Sequence, residues 1–313
     1  EKFKPIFGVE AYFNPSLDLW REEYEKAKRE KKKGIKNEIE LSIEDERASK
    51  QKVVDTLKKR NHLILIAQNQ TGLNNIFKLV SESYKDENFY RYPRIDYELL
   101  GLYGEGIIAS SACLGGVYAG DYWDYRDISS DAVLNAMRQT TERMKNIFGD
   151  RWYGELQWNN IPQQHELNQY IVQICKEYDV KLISTADSHY PNPDAWKDRE
   201  LYKRIGWLGK GGLPEYMSAE LPSGVEEVGY ELYPKNGEQM WESYHNYSKL
   251  VGFDYDDDLV LDSIKRTEYI AHDLIEDFMP DNEVRLPSFV VPAGKTDIQA
   301  LTQDCLKGLK EKQ

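Results

Sequence analysis

The chain has 313 residues, 40% of them hydrophobic, enough for one large domain or two modest ones around a buried core. No stretch approaches the roughly 18–20 apolar residues of a membrane-spanning helix, and Glu1-Lys2-Phe3-Lys4 lacks a signal-peptide pattern, so a soluble, cytoplasmic protein with no membrane partner is expected. A formal net charge of −13 excludes a surface that binds nucleic acid as a whole, because phosphate contacts need clustered Lys and Arg; local basic patches and a carboxylate-rich metal site stay open.

Along the chain, Lys4 to Tyr12 reads as a buried strand, and its appearance without an initiator Met suggests that the sequence begins in mid-domain. Residues 18–60 are dense in Lys and Glu, with the run Lys31-Lys32-Lys33, and read as an exposed, charged insertion of helix and loop. His62-Leu63-Ile64-Leu65-Ile66-Ala67 is a second strand. Asn69-Gln70-Thr71-Gly72 turns the chain into a helix with Leu73, Ile76, Phe77 and Val80 at helical spacing. Gly106 to Ser111 is a third strand, followed by Ala112-Cys113-Leu114-Gly115-Gly116.

Trp152 to Gln157 predicts a strand. Pro162 then suits a helix first turn, and Leu167, Tyr170, Ile171, Ile174, Cys175 and Tyr178 form an apolar stripe of helical period. Val180 to Thr185 closes a strand-helix-strand unit, which implies a right-handed parallel crossover and an α/β sheet or barrel. Residues 206–232 read as a Gly/Pro/Ser-rich loop, Asn236 to Phe278 as helix, Arg285 to Pro292 as extended chain, and Asp297 to Lys310 as a last helix. The acidic run Asp254 to Asp258 reads as a solvated loop or helix N-terminus.

Chemistry concentrates where strands end. Asp187 and His189 lie just past a strand end with period-2 spacing, so both can face one cavity, and a carboxylate with an imidazole suits zinc or manganese. A turn Asp beside a hydrogen-bonded His explains the same pattern without a metal. Glu10 ends an apolar run, where a buried carboxylate needs a partner or a metal. Cys113 precedes a Gly-Gly pair, although a lone Cys is more often a small buried hydrophobe. His62 stands at the start of its strand, the least comfortable geometry for a ligand. The three cysteines, Cys113, Cys175 and Cys305, form no CxxC and are expected to be free thiols in a reducing compartment.

These hints occur in one order. Gly8-Val9-Glu10-Ala11-Tyr12, His62 to Asn69 with Thr71-Gly72, Ser111 to Gly116, and Thr185-Ala186-Asp187-Ser188-His189-Tyr190 resemble successive motifs of the PHP domain in DNA polymerase III alpha subunits, the C-family replicative DNA polymerases. Tyr153 to Gln157 with Ile161-Pro162, Glu231-Leu232-Tyr233 with Gln239-Met240, Leu286 to Pro292, and Cys305 to Leu309 extend the resemblance over nearly the whole chain. It is weakest at residues 18–55 and 206–228. The resemblance implies an α/β fold of the PHP type, a distorted (β/α)7 barrel lacking its first strands, over residues 1–278, and a junction into the polymerase palm over 279–313. It also implies that Glu10, His62, Cys113, Asp187 and His189 are metal ligands in a cluster able to hold up to three ions. The family's opening His-x-His and Asp-His motifs would precede Glu1, and its palm carboxylates would lie beyond Gln313.

By the same resemblance the parent protein is a DNA-directed DNA polymerase that takes primer-template DNA and deoxynucleotides, uses magnesium, and works with a proofreading subunit and a sliding clamp. The PHP site would give 3′–5′ exonuclease activity or structural support for synthesis. A stand-alone PHP phosphoesterase and a noncatalytic scaffold are the alternatives; residues 286–309 argue against the first, and retention of all five ligand types against the second.

Overall fold

The computed structural model describes residues 3–34, 59–208, 231–281, 283–284 and 290–312. Its strands are β1 (Gly8–Phe13), β2 (Asn61–Ala67), β3 (Phe89–Tyr90), β4 (Tyr92–Pro93), β5 (Ile107–Ser110), β6 (Trp152–Gln157) and β7 (Lys181–Thr185). The α-helices are α1 (Leu17–Gly34), α2 (Gln70–Ser83), α3 (Tyr97–Tyr103), α4 (Val117–Tyr125), α5 (Ser130–Phe148), α6 (Pro162–Glu177), α7 (Trp196–Leu208), α8 (Gly237–Tyr247), α9 (Asp257–Tyr269) and α10 (Asp297–Glu311). Among the described residues no helix is long and apolar enough to cross a membrane. The chain forms two compact units, Glu1–Met279 and Pro280–Gln313.

In the first unit a five-stranded sheet runs in the order β1-β2-β5-β6-β7, so the fold is mixed α/β. The β6-α6-β7 crossover is parallel, as the sequence predicts, and β5 also pairs with β6 in parallel. By contrast β1 with β2, and β2 with β5, are antiparallel. An apolar run marks a strand but not its direction, which is set by how the intervening helices return the chain.

Alternation divides the sheet into two faces. Leu63, Leu65 and Ala67 of β2, with Ile107, Trp152 and Leu156, enter the main core beside Leu73, Ile76 and Leu79 of α2 and Leu167, Ile171 and Ile174 of α6. On the opposite face Ile66, Ile108, Tyr153 and Ile183 pack under Ile270, the first residue of a π-helical turn, Ile270–Leu274, that continues α9, and under Ile275, the residue that follows it. This second face is apolar toward that turn and polar toward the other end of the sheet.

Several expectations shift. α2 buries Leu73, Ile76 and Leu79 and leaves Phe77 and Val80 exposed, so its apolar stripe is rotated from the predicted one. The charged segment after β1 begins with a helix anchored in the core, since Leu17 and Trp20 of α1 are buried and Arg94 lies over the Trp20 ring. The remainder of that insertion, residues 35–58, lies outside the described residues, as do most of the 206–232 loop and residues 285–289 of the extended passage. Asp256 caps α9 and Asp257 and Asp258 occupy its first turn, where carboxylates complement the helix dipole.

Candidate metal centre

Register brings the first two candidates together. Tyr12 pairs with His62 and Glu10 with Ile64, so Glu10 and His62 share a face one diagonal apart. The diagonal is closed by a 2.7 Å contact from His62 Nδ1 to Glu10 Oε1. That hydrogen bond holds the Glu10 carboxyl below its ordinary range, against the opposing effect of partial burial. The start of β2 is also where a ligand is needed. Because β2 runs against β5, it begins at the end of the sheet where β5, β6 and β7 finish.

The segment after β5 wraps around that point. The His62 amide donates to the Gly115 carbonyl at 2.7 Å, and Cys113 Sγ lies 3.5 Å from His62 Nδ1 while accepting from the Gly115 amide at 3.4 Å. The turn needs Gly116, and Gly115 is packed tightly. A Cβ on Gly116 would stand 1.9 Å from the Ser111 carbonyl oxygen, and one on Gly115 would press on the His62 ring at 3.2 Å. Ala112 adopts φ 60, a left-handed conformation that costs a non-glycine residue energy and persists only where its surroundings enforce it. Burial, with Asp187 adding to it, pushes the Cys113 thiol up to about 12.

The segment after β7 supplies the other side. Asp187 is also left-handed, with φ 48, and its carboxyl is hydrogen-bonded to the Cys113 thiol. Burial raises its pKa, and the charges of His189 and His62 pull in the other direction. His189 is exposed. Its Nδ1 lies 2.6 Å from the Asp187 carbonyl oxygen, which can only accept, so Nδ1 is the donor and Nε2 is not used in this bond. Metal-binding histidines are commonly oriented this way. The His189 amide is in turn fixed to the Leu232 carbonyl at 2.8 Å.

The five residues singled out from the sequence thus form one chain of contacts: Glu10 to His62, His62 to Cys113, Cys113 to Asp187, and Asp187 to His189. Imidazole nitrogen, sulfur and carboxylate oxygen are donors suited to zinc or manganese, so the chemistry of the set fits a divalent ion. The arrangement itself is one of side chains bonded to each other. Among the described residues no three His, Cys, Asp or Glu side chains surround a common point as an ion requires, and Glu10 and Cys113 both turn to the same His62 nitrogen. A groove of about 480 Å³ at the β1 edge includes Glu10 in its lining, with Tyr12, Tyr84, Arg91 and Tyr92, but none of the other four candidates.

One carboxylate at this end of the sheet was not among the sequence candidates. Glu155 of β6 is buried on the same face and accepts hydrogen bonds from Ser110 Oγ at 2.6 Å, Gln157 Nε2 at 3.2 Å and the Thr185 hydroxyl. Burial raises its pKa, while the three donors pull it down. Its signal in the sequence is faint: an acid and an amide at alternate positions of a strand otherwise dominated by apolar and aromatic side chains.

The PHP domain family profile matches residues 1–159, about half of the chain, and the chain belongs to that family. It is similar to DNA polymerase III subunit alpha of Aquifex aeolicus (strain VF5), with 35% identity over 316 residues that cover all of this chain and 23% of that protein. The corresponding subunit of Borreliella burgdorferi is 34% identical over 221 residues, 70% of this chain and 18% of the relative. That of Campylobacter jejuni is 30% identical over 254 residues, 79% and 17% respectively. The chain therefore spans less than a quarter of the length of these relatives.

Proposed function

We propose that this chain is the PHP part of a replicative DNA polymerase III alpha subunit and that Glu10, His62, Cys113, Asp187 and His189 bind divalent metal, zinc or manganese. The observation that carries the reading is the unbroken contact chain through these five residues, in a PHP-family chain that aligns along its whole length with an alpha subunit. A bound ion would act there as a Lewis acid toward a phosphodiester oxygen. The chain's own residues prepare for this. His189 presents Nε2 because Nδ1 is tied to a carbonyl; Glu10 orients His62; and the Cys113 thiol must lose its proton to become a ligand, so binding releases protons.

The architecture proposed with this function is the family's distorted (β/α)7 barrel over residues 1–278, with 279–313 leading toward the polymerase palm. The whole protein would extend primer-template DNA with deoxynucleotides, using magnesium, in the cytoplasm and alongside a proofreading subunit and a sliding clamp. Within it this domain would provide 3′–5′ phosphodiester hydrolysis. The mutual bonding of the donors favours a second reading, a PHP scaffold that supports synthesis without hydrolysis.

Metal analysis separates the two. The purified whole polymerase subunit, with the segment that precedes Glu1, incubated with zinc or manganese and freed of loose ions, should retain bound metal, and the double substitution Asp187→Ala/His189→Ala should abolish the high-affinity fraction. Equal metal content in the two proteins would remove the metal reading and leave the scaffold.

A further inference from the structure

Among the described residues, Glu155 is the buried carboxylate that touches the ends of both strands flanking the candidate centre. Its side chain receives the hydroxyl of Ser110, the last residue of β5, and that of Thr185, the last residue of β7. Its own amide donates to Ser111 Oγ at 2.9 Å, so the end of β5 is held twice. All three partners of the carboxylate are neutral, and the side chain is almost wholly shielded, with the residue 5% exposed.

Each tethered strand end leads into a left-handed residue and a candidate ligand. Beyond Ser110 come Ala112 at φ 60 and Cys113; beyond Thr185 comes Asp187, itself the ligand, at φ 48. Such conformations are held by their surroundings, not by local preference. Glu155 is a holder that the two ends share, joining them from beneath. It lies close enough for its charge to act on Cys113 and for that of Asp187 to act on it. An acid placed beside other acids, with only neutral partners on its own oxygens, gains from a positive charge arriving between them.

We propose that Glu155 is a positioning residue for the metal centre: through Ser110 and Thr185 it fixes the ends of β5 and β7 so that Cys113 and Asp187 meet. This rests on the metal reading given above. Glu155 binds no ion itself. It touches none of the five ligands and acts one step behind them, through the strand ends that carry two of them; partners that orient ligands typically change metal affinity by about 10–100-fold when lost.

Cobalt(II) titration tests it, because a thiolate ligand gives cobalt a charge-transfer absorption that reports Cys113 geometry apart from stability. The wild-type protein should develop that absorption. Glu155→Gln keeps the shape but turns one acceptor into a donor, and should weaken cobalt binding about tenfold or more and shift or abolish the band while the metal-free circular dichroism stays unchanged. Thr185→Val and Ser110→Ala, which remove one tether each and keep the carboxylate, should change the spectrum in the same direction. Wild-type affinity and spectrum in Glu155→Gln overturn the proposal while leaving the metal centre standing. Should Glu155→Gln not fold, unchanged binding in both tether variants overturns it equally. A wild-type protein that takes up no cobalt removes the centre and this role together, and that outcome is visible before any variant is made.

Discussion

Asp121 of α4 illustrates how a single buried group writes itself into the pH dependence of the fold. Burial pushes its carboxyl up to about 7, outweighing the hydrogen bond from Thr140, and Oδ2 has no hydrogen-bond partner among the described residues. An unfolded Asp titrates near 3.9. Because the folded value is the higher one, the protonated acid favours the fold; its contribution is whole below about pH 4 and is lost as pH rises through about 7. Asp121→Asn should therefore stabilise the protein by about 1–3 kcal/mol near pH 8. The gain should shrink as pH is lowered toward about 5, and thermal melts that show the same gain at both pH values would contradict this. At this scale the sequence is informative about types and poor about surroundings. Asp187 and His189 stand out as a pair, whereas nothing distinguishes Asp121 from a solvated acid and Glu155 is marked only faintly, since burial comes from residues distant in the chain.

The elements carry the site through their ends and their faces. Leu65 of β2 is fully buried between α2 and the sheet, so Leu65→Ala should cost about 2–5 kcal/mol, read from denaturant midpoints. Gly116→Ala introduces a methyl group against the Ser111 carbonyl and must displace the segment that carries Cys113. It should lower the melting temperature and slow or block cobalt uptake together, whereas a stable variant with normal uptake would show that the turn has room to spare. Strand positions were readable, because β2, β6 and β7 are apolar runs bounded by turn residues, and Pro162 with its following stripe marked where α6 begins. The direction of β2 was not readable from its composition. That gap made His62 look misplaced, when the antiparallel pairing puts it at the working end of the sheet.

For the molecule as a whole, 54 acidic against 41 basic side chains leave a field that repels phosphate. The purified chain should show no measurable affinity for duplex DNA at about 0.15 M salt in an anisotropy titration. Tight binding that falls steeply as salt is raised would reveal a basic surface that the net charge conceals. The mixed sheet also has a consequence for how the protein finds its own register. Leu63, Leu65 and Ala67 repeat every second residue, so sliding β2 by two positions along β1 would keep oil facing oil and satisfy the same ladder. Such a slip would carry the imidazole about 7 Å from the carboxylate it should meet. The Glu10 and His62 pair is thus an index mark on an otherwise periodic scale, and a misaligned strand pair could be well packed yet chemically blank.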